Sequence, residues 1–133
     1  MDHGFIRPLE RHQSVRPALI RIEALPRSSH VALTVTDNGA GINWSVLRIK
    51  AEERGFVPGP GRSLADVLFL DGVSTAEATS ETSGRGVGLS AIKSICSELG
   101  GSISMEDAEG GGTVLRMKFS SDSLMTASMR KAG

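Results

Sequence analysis

The sequence is poor in cysteine and has no excess of either charge. It contains one cysteine, and its 15 basic and 15 acidic residues balance to a formal net charge of zero. A single thiol excludes an internal disulfide framework and a cysteine-rich zinc site, and it favours a cytoplasmic setting. Because no basic field attracts phosphates, nonspecific nucleic-acid binding is not the expected role. No apolar run approaches the roughly 20 residues of a membrane-spanning helix, so we expect no membrane insertion.

The length of 133 residues predicts one domain with a two-layer core. Alternating and helical apolar patterns predict the order strand, strand, helix, short helix, loop, helix, strand, strand. This order favours an α+β fold, a two-layer α/β sandwich with a mixed sheet and helices on one face. The predicted elements are strands over 18–22 and 31–36, helices over 44–54, 64–70 and 87–99, and strands around 103–105 and 115–119.

The last residues and two side chains need separate interpretations. Residues 120–133 lose periodicity, and we predict a flexible polar tail after a domain that spans 1–119. Ile95 and Cys96 recur at helical spacing on the apolar side of the helix over 87–99, so both are expected to face the core. Trp44, at the start of an earlier helix, is expected to pack rather than to stack on a ligand.

A glycine-rich turn precedes the helix over 87–99. Glycines alternate there and allow close approach of a ligand to the backbone, while the helix N-terminus behind them adds a positive dipole end. The pattern indicates a phosphate cradle; a flexible linker is the alternative. It is not a Walker loop, because no Gly-Lys-Ser/Thr follows. The residues of this turn are Ser83, Gly84, Arg85, Gly86, Val87, Gly88 and Leu89.

A second glycine group, Asp37-Asn38-Gly39-Ala40-Gly41, follows a predicted buried strand. A carboxylate at the strand end can accept a hydrogen bond from an exocyclic amine such as that of adenine. Gly39 and Gly41 leave room for a flat ring against the backbone. An ordinary Asx turn at the end of a strand explains the same residues equally well.

Together the two groups resemble the glycine boxes of the ATPase superfamily of gyrase, heat-shock chaperones, histidine kinases and MutL. The sequence is most similar to the ATP-binding domain of CheA-like histidine kinases of chemotaxis. The resemblance covers residues 2–119. Further segments that match this pattern are Asp2-His3-Gly4, Glu10-Arg11, Gly72-Val73-Ser74-Thr75 and Gly112-Thr113.

The resemblance implies a Bergerat-type domain that binds Mg²⁺ and ATP under a mobile lid. Asp37 would contact the adenine amine with the Thr113 hydroxyl nearby, and Gly39 and Gly41 would border the base. Gly84, Gly86 and Gly88 of the glycine-rich turn before the helix over 87–99 would hold the phosphates, and Ser74 and Thr75 would belong to the lid signature. In this family the γ-phosphoryl group passes to a histidine on another domain, a transfer governed by positioning and electrostatics.

The resemblance also implies what lies outside these residues. The family's catalytic residues would precede Met1, and its magnesium-binding asparagine would lie three residues before Asp2. No metal ligand and no catalytic residue is therefore assigned here, and the role of His3 stays open. Without the first helix of the domain we expect impaired ATP binding and an uncovered apolar face that invites a homodimer.

The partners that the resemblance implies are a phosphoacceptor histidine domain and a response regulator. The sequence departs from the family pattern in the lid signature. Asp71 and Val73 stand where relatives carry proline and phenylalanine.

Two other functions fit the same features. The first is a non-catalytic regulatory or interaction module of the same fold. The second is an anti-sigma-type serine kinase, which is also short. The box over residues 83–88 and the stretch over residues 72–75 fit the CheA pattern better, and we therefore favour the histidine kinase domain.

Overall fold

The computed structural model describes residues 17–70, 73 and 88–132. Four strands form one sheet in the order β1-β2-β4-β3. The elements in chain order are β1 (Ile20–Pro26), β2 (His30–Asp37), α1 (Trp44–Glu53), a 3-10 helix (Leu64–Phe69), α2 (Leu89–Glu98), β3 (Ser102–Asp107), β4 (Thr113–Ser120) and α3 (Ser121–Ala132).

The sheet consists of two hairpins joined side by side. β1 pairs with β2, β3 pairs with β4, and β2 pairs with β4 in the centre. All these pairings are antiparallel, so the described part of the sheet is antiparallel rather than mixed, while the predicted α+β class is confirmed. The central pairing matters most for the site, because it brings the end of β2 beside the start of β4.

One face of the sheet carries the core. Antiparallel partners point to the same side, so Leu33 and Met117, which are directly paired, share this face. The same alternation adds Met105 of β3 and Leu115 of β4, which are buried. The helices that cover this face contribute Leu47, Ala51, Val67, Leu68, Phe69, Leu89 and Cys96 to the cluster.

The strand at the edge differs from its predicted bounds. β1 runs from Ile20 to Pro26 and not over 18–22. Pro26 pairs with Val31 and is the last residue of the strand instead of a residue beyond its end. An edge strand tolerates proline, because the absent N–H group removes no bond from a central ladder. Ile20 and Ile22 of this strand are 53% and 67% exposed.

Local signals correctly predict helix α1. The Asn43 side chain accepts a hydrogen bond from the N–H of Val46 at 3.1 Å, as an N-cap does. Gly55, with φ of 64°, follows the C-cap residue Arg54 and ends the helix in the left-handed region. The predicted short helix is the 3-10 helix, in which Asp66 accepts from the N–H of Ser63 at 2.7 Å.

Helix α2 is shorter than predicted, and one of its apolar residues faces outwards. It spans Leu89–Glu98 within the predicted 87–99. Cys96 is buried as expected, but Ile95 is 55% exposed, so the expectation that Ile95 faces the core is wrong. The residues next to each other on the helix point about 100° apart, and the sheet covers only the side that carries Cys96.

The predicted tail is a helix. Residues 121–132 form the helix α3, which the sequence pattern does not predict, while the flexibility of this tail stays a prediction. The Ser120 hydroxyl accepts from the N–H of Ser123 at 3.1 Å, and Asp122 lies in the first turn, where a carboxylate is favourable. The Ser121 N–H also donates to the Ser29 carbonyl at 3.0 Å. One of these hydrogen bonds is local and the other joins residues far apart in the sequence, and together they start a helix that apolar periodicity does not indicate. The domain boundary near residue 119 stays a prediction.

Within the described ranges, no helix has the length and apolar character needed to cross a membrane.

The buried thiol of Cys96 provides a test of the core. Cys96 is 2% exposed, and burial raises the pKa of its thiol. Since the thiolate is the reactive form, we expect Cys96 in the folded chain to react with a disulfide reagent at neutral pH more than about tenfold more slowly than in denaturant. Absorbance of the released thiolate measures both rates. Equal rates would contradict the packing of α2 against the sheet.

Candidate functional site

The candidate site begins with Asp37, the last residue of β2. Its side chain is buried, with 9% of the residue exposed, and Thr113 at the start of β4 is 4% exposed. The Thr113 hydroxyl donates a hydrogen bond to Oδ2 of Asp37. The antiparallel pairing of β2 and β4 causes this meeting, because Thr36 is paired with Val114 and the next residues along each strand are Asp37 and Thr113.

The other oxygen of Asp37 holds the loop that follows. Oδ1 accepts from the N–H of Gly39 at 2.7 Å, which is the geometry of an Asx turn. The interpretation of Asp37 as the first residue of an Asx turn is therefore correct. A carboxylate has about four lone-pair positions, and these two bonds use two of them. Asp37 can still accept a hydrogen bond from a donor outside the chain.

The turn between β3 and β4 lies directly against Asp37. Gly112, with φ of 96°, precedes Thr113, and a Cβ added there would overlap the Asp37 carbonyl oxygen and stand 2.8 Å from Cα of Asn38. Only glycine combines this backbone conformation with such a close approach. The Gly-Thr pair is thus where the hairpin turn supports the end of β2.

Asn38 fixes the same loop to the start of the described chain. Its Oδ1 accepts from the N–H of Leu19 at 2.8 Å, and its Nδ2 donates to the Pro17 carbonyl at 2.8 Å. The Asn38 N–H donates to the Leu19 carbonyl at 3.3 Å. Side chain and backbone of one residue therefore continue the β1–β2 pairing beyond the ends of the strands.

A second carboxylate holds the far end of the loop. Asp107 ends β3 and is paired with Thr113. Its Oδ1 accepts from the N–H of Ile42 at 2.9 Å, and its Oδ2 accepts from Nε1 of Trp44 at 2.5 Å. Trp44 also packs against the core cluster, which agrees with its predicted packing role.

The structure describes only part of the predicted phosphate turn. Gly88 precedes α2, and its carbonyl accepts from Ala91 and Ile92, while Leu89 is the buried first residue of that helix. Gly39 and Gly41 lie in the loop between β2 and α1. The predicted site residues Ser74, Thr75, Ser83, Gly84, Arg85, Gly86 and Val87 lie outside the described residues.

The start of the chain also lies outside the described residues. This applies to Met1, before which the family's catalytic residues are expected, and to His3, whose role the sequence leaves open. The placement of the catalytic residues before Met1 therefore stays a prediction.

Sequence patterns bring Asp37, Gly39, Gly41 and Thr113 to the site, but they do not assign a role to Asp107 or Asn38. The alternation of Ile103 and Met105 continues to Asp107, which places this residue on the same face of β3 as Met105, although Asp107 at the end of the strand is exposed. The alternation therefore predicts the face on which Asp107 lies. It does not predict the partners of Asp107, which lie 63 and 65 residues away in the sequence.

The described residues contain no group of three or more His, Cys, Asp or Glu side chains that could hold a metal ion. At the end of β2 the structure instead places a buried hydrogen-bond acceptor, the Asp37 carboxylate. The glycines of the adjoining loop have no side chains that would block access to the backbone. This arrangement suits a flat ligand with an amine donor, held against backbone.

Comparison with known proteins adds the family. Residues 9–123 match the model of a family described as histidine kinase-, DNA gyrase B- and HSP90-like ATPases. This match covers the whole sheet and both ends of the candidate site. The late Gly-Thr pair and the Asp-x-Gly-x-Gly loop both lie within it.

Curated relatives resemble the chain along most of its length. The chain is 35% identical over 127 residues to the chemotaxis protein CheA of Bacillus subtilis, an alignment that covers 90% of this chain and 19% of the relative. It is 38% identical over 126 residues to CheA of Cereibacter sphaeroides, with coverage of 90% and 18%. It is 30% identical over 127 residues to the sensor histidine kinase CheAY of Helicobacter pylori, with coverage of 89% and 16%. The chain thus spans about a fifth of the length of these relatives.

Proposed function

We propose, since the chain belongs to the histidine kinase-, DNA gyrase B- and HSP90-like ATPase family, that it binds ATP at the end of β2 as the ATP-binding domain of a CheA-type histidine kinase. The observation that carries the proposal is the buried Asp37 carboxylate, held by Thr113 and Gly39 with acceptor positions to spare. The adenine amine would donate to Asp37, and the backbone at Gly39 and Gly41 would border the ring.

The phosphates would lie towards α2. This helix has ten residues and begins directly after Gly88, so its N-terminal N–H groups and dipole favour negative charge there. The glycine box over residues 83–88 would complete the contact. Mg²⁺ would accompany the phosphates and offset part of their charge. No described residue is assigned to that ion.

In the intact protein the γ-phosphoryl group would pass to a histidine on a phosphoacceptor domain, and a response regulator would follow. Positioning of the nucleotide and stabilisation of developing charge would account for most of the rate, as is general for phosphoryl transfer. A cytoplasmic setting, a homodimer through an uncovered face and an impairment of this chain on its own stay predictions. The exposed Ile20 and Ile22 of β1 are compatible with self-association.

Asp37→Asn is the test of the proposed site. The amide keeps the shape of the side chain but replaces one acceptor oxygen by a donor, so the adenine amine loses a charged partner. A hydrogen bond to a charged group contributes about 1.5–3 kcal/mol, which predicts about 10- to 100-fold weaker binding of the ATP analogue AMP-PNP. Chemical-shift titration by NMR measures this affinity even in the millimolar range.

Asp122→Asn is the matched control, because it makes the same chemical change at an exposed position of α3. It is expected to bind like the unaltered chain. If Asp37→Asn binds AMP-PNP as tightly as the control does, adenine recognition by Asp37 is wrong. Phosphorylation of a phosphoacceptor domain added in trans then separates the kinase from a non-catalytic module, which would bind the nucleotide without transferring phosphate.

A further inference from the structure

Asp107 binds two donors at the end of the loop that the proposed function assigns to the adenine ring, one in the loop and one at the start of α1. Each carboxylate oxygen takes one donor: Oδ1 the N–H of Ile42 at 2.9 Å, and Oδ2 the indole N–H of Trp44 at 2.5 Å. Hydrogen bonds to an ionised acceptor are stronger and more strictly oriented than neutral ones. The pair therefore fixes both the distance and the direction of the loop relative to the end of β3.

The same hairpin holds both ends of the loop. Thr113 of β4 binds the Asp37 side chain before the loop, and Asp107 of β3 binds Ile42 near the end of the loop and Trp44 directly after it. Asp107 and Thr113 are direct partners across β3 and β4. Because Asp107 and Thr113 are neighbours in one ladder, the distance between the two ends of the loop over residues 38–43 is fixed.

Gly41 is a loop residue that lies close to the Asp107 side chain. It has φ of 80°, and a Cβ added there would stand 3.1 Å from Oδ1 of Asp107 and 3.4 Å from the Gly112 carbonyl. The loop backbone therefore rests on Asp107 and on the hairpin turn at once. Because Gly41 directly precedes Ile42, the hydrogen bond from the Ile42 N–H to Asp107 also fixes the position of the Gly41 backbone.

We propose that Asp107 is a positioning residue for the nucleotide: through Ile42 and Trp44 it holds the Gly39–Gly41 backbone at the depth that an adenine ring requires. This inference rests on the proposed function. Asp107 does not contact the base; its contribution is to pre-organise the loop, so that less ordering remains to be done on binding. A merely structural Asp107 would affect the stability of the fold and leave nucleotide affinity unchanged.

Trp44 makes the contact observable without a ligand. It is the one tryptophan of the sequence, so its indole N–H gives a single NMR signal. In Asp107→Ala we expect this signal to shift and its exchange with solvent to accelerate. Trp44→Phe keeps an aromatic ring beside the core, but it removes the indole N–H together with part of the packed ring volume. Glu106→Gln is the control, because Glu106 is the exposed neighbour on the opposite side of β3, paired with Arg116 at 2.7 Å.

AMP-PNP titration below the melting temperature of each variant then tests positioning. We expect about fivefold to tenfold weaker binding for Asp107→Ala, an intermediate loss for Asp107→Asn and Trp44→Phe, and less than twofold change for Glu106→Gln. Trp44→Phe combined with Asp107→Ala should bind like Asp107→Ala alone, because the second change removes a donor that has already lost its acceptor. Asp107→Asn and Trp44→Phe keep the test informative if Asp107→Ala does not fold.

The outcomes separate this inference from the function on which it rests. Absence of AMP-PNP binding by the unaltered chain would overturn both. Binding by the unaltered chain that the folded Asp107 and Trp44 variants leave within twofold would overturn the positioning role alone. A loss in the double variant that equals the sum of the two single losses would overturn the part of the inference that runs through Trp44, because Trp44 would then affect nucleotide affinity independently of Asp107.

Discussion

Replacing Gly112 with alanine is expected to destabilise the fold by about 3–5 kcal/mol and to remove nucleotide binding. The residue has φ of 96°, a conformation that alanine adopts only under strain. Its Cβ would also overlap the Asp37 carbonyl oxygen and approach the carbonyl carbon to 2.7 Å, and neither belongs to a flexible side chain that could turn away. Relief requires that β2 and the hairpin turn separate, which moves Asp37 away from Thr113. Urea unfolding followed by circular dichroism measures the loss of stability.

Gly110→Ala is the matched control for this contact. Gly110 lies in the same turn with φ of 83°, but an added Cβ there meets no atom within 4 Å. It therefore carries the conformational strain without the overlap, and we expect a cost of about 1 kcal/mol. The difference between the two variants isolates the close approach of the turn to Asp37. Equal costs for both would show that this approach does not constrain the site.

The core prediction with the next largest effect is Leu47→Ala, which is expected to destabilise the fold by about 2–5 kcal/mol. Leu47 is a side chain of α1 with no exposed surface, and it belongs to the main core cluster. Its removal loses the transfer free energy of the deleted methyl and methylene groups and leaves a cavity that close-packed neighbours fill only in part. The midpoint and slope of urea unfolding separate lost stability from a change in the denatured state.

Ile49→Ala on the same helix gives the comparison. Ile49 is 57% exposed and lies two residues from Leu47, on the side that faces solvent. The same kind of truncation there is expected to cost less than about 1 kcal/mol, because little apolar surface returns to water. If the two variants lose stability equally, α1 does not pack into the core cluster through Leu47. Nucleotide affinity of both folded variants should stay near that of the unaltered chain, since neither residue belongs to the loop.

The contrast between α1 and α3 shows how far local patterns reach. An asparagine cap and a left-handed glycine define the two ends of α1, and each acts within a few residues, so the sequence predicts this helix almost to its bounds. Helix α3 has no such apolar stripe. It begins at Ser121, whose N–H donates to the carbonyl of Ser29, a residue that becomes its neighbour only after β1–β2 has formed beside β4. A prediction from periodicity alone therefore misses it.

The candidate site divides in the same way. The two glycine boxes, the alternating strands and the caps can be predicted from the amino-acid sequence, because each depends on backbone conformations that neighbouring residues set. The contacts of Asp37 with Thr113, 76 residues apart, and of Asp107 with Ile42, 65 residues apart, form only when the sheet assembles. They follow from the strand order β1-β2-β4-β3. It places the β3–β4 hairpin beside the end of β2, where two side chains of one ladder hold both ends of the loop.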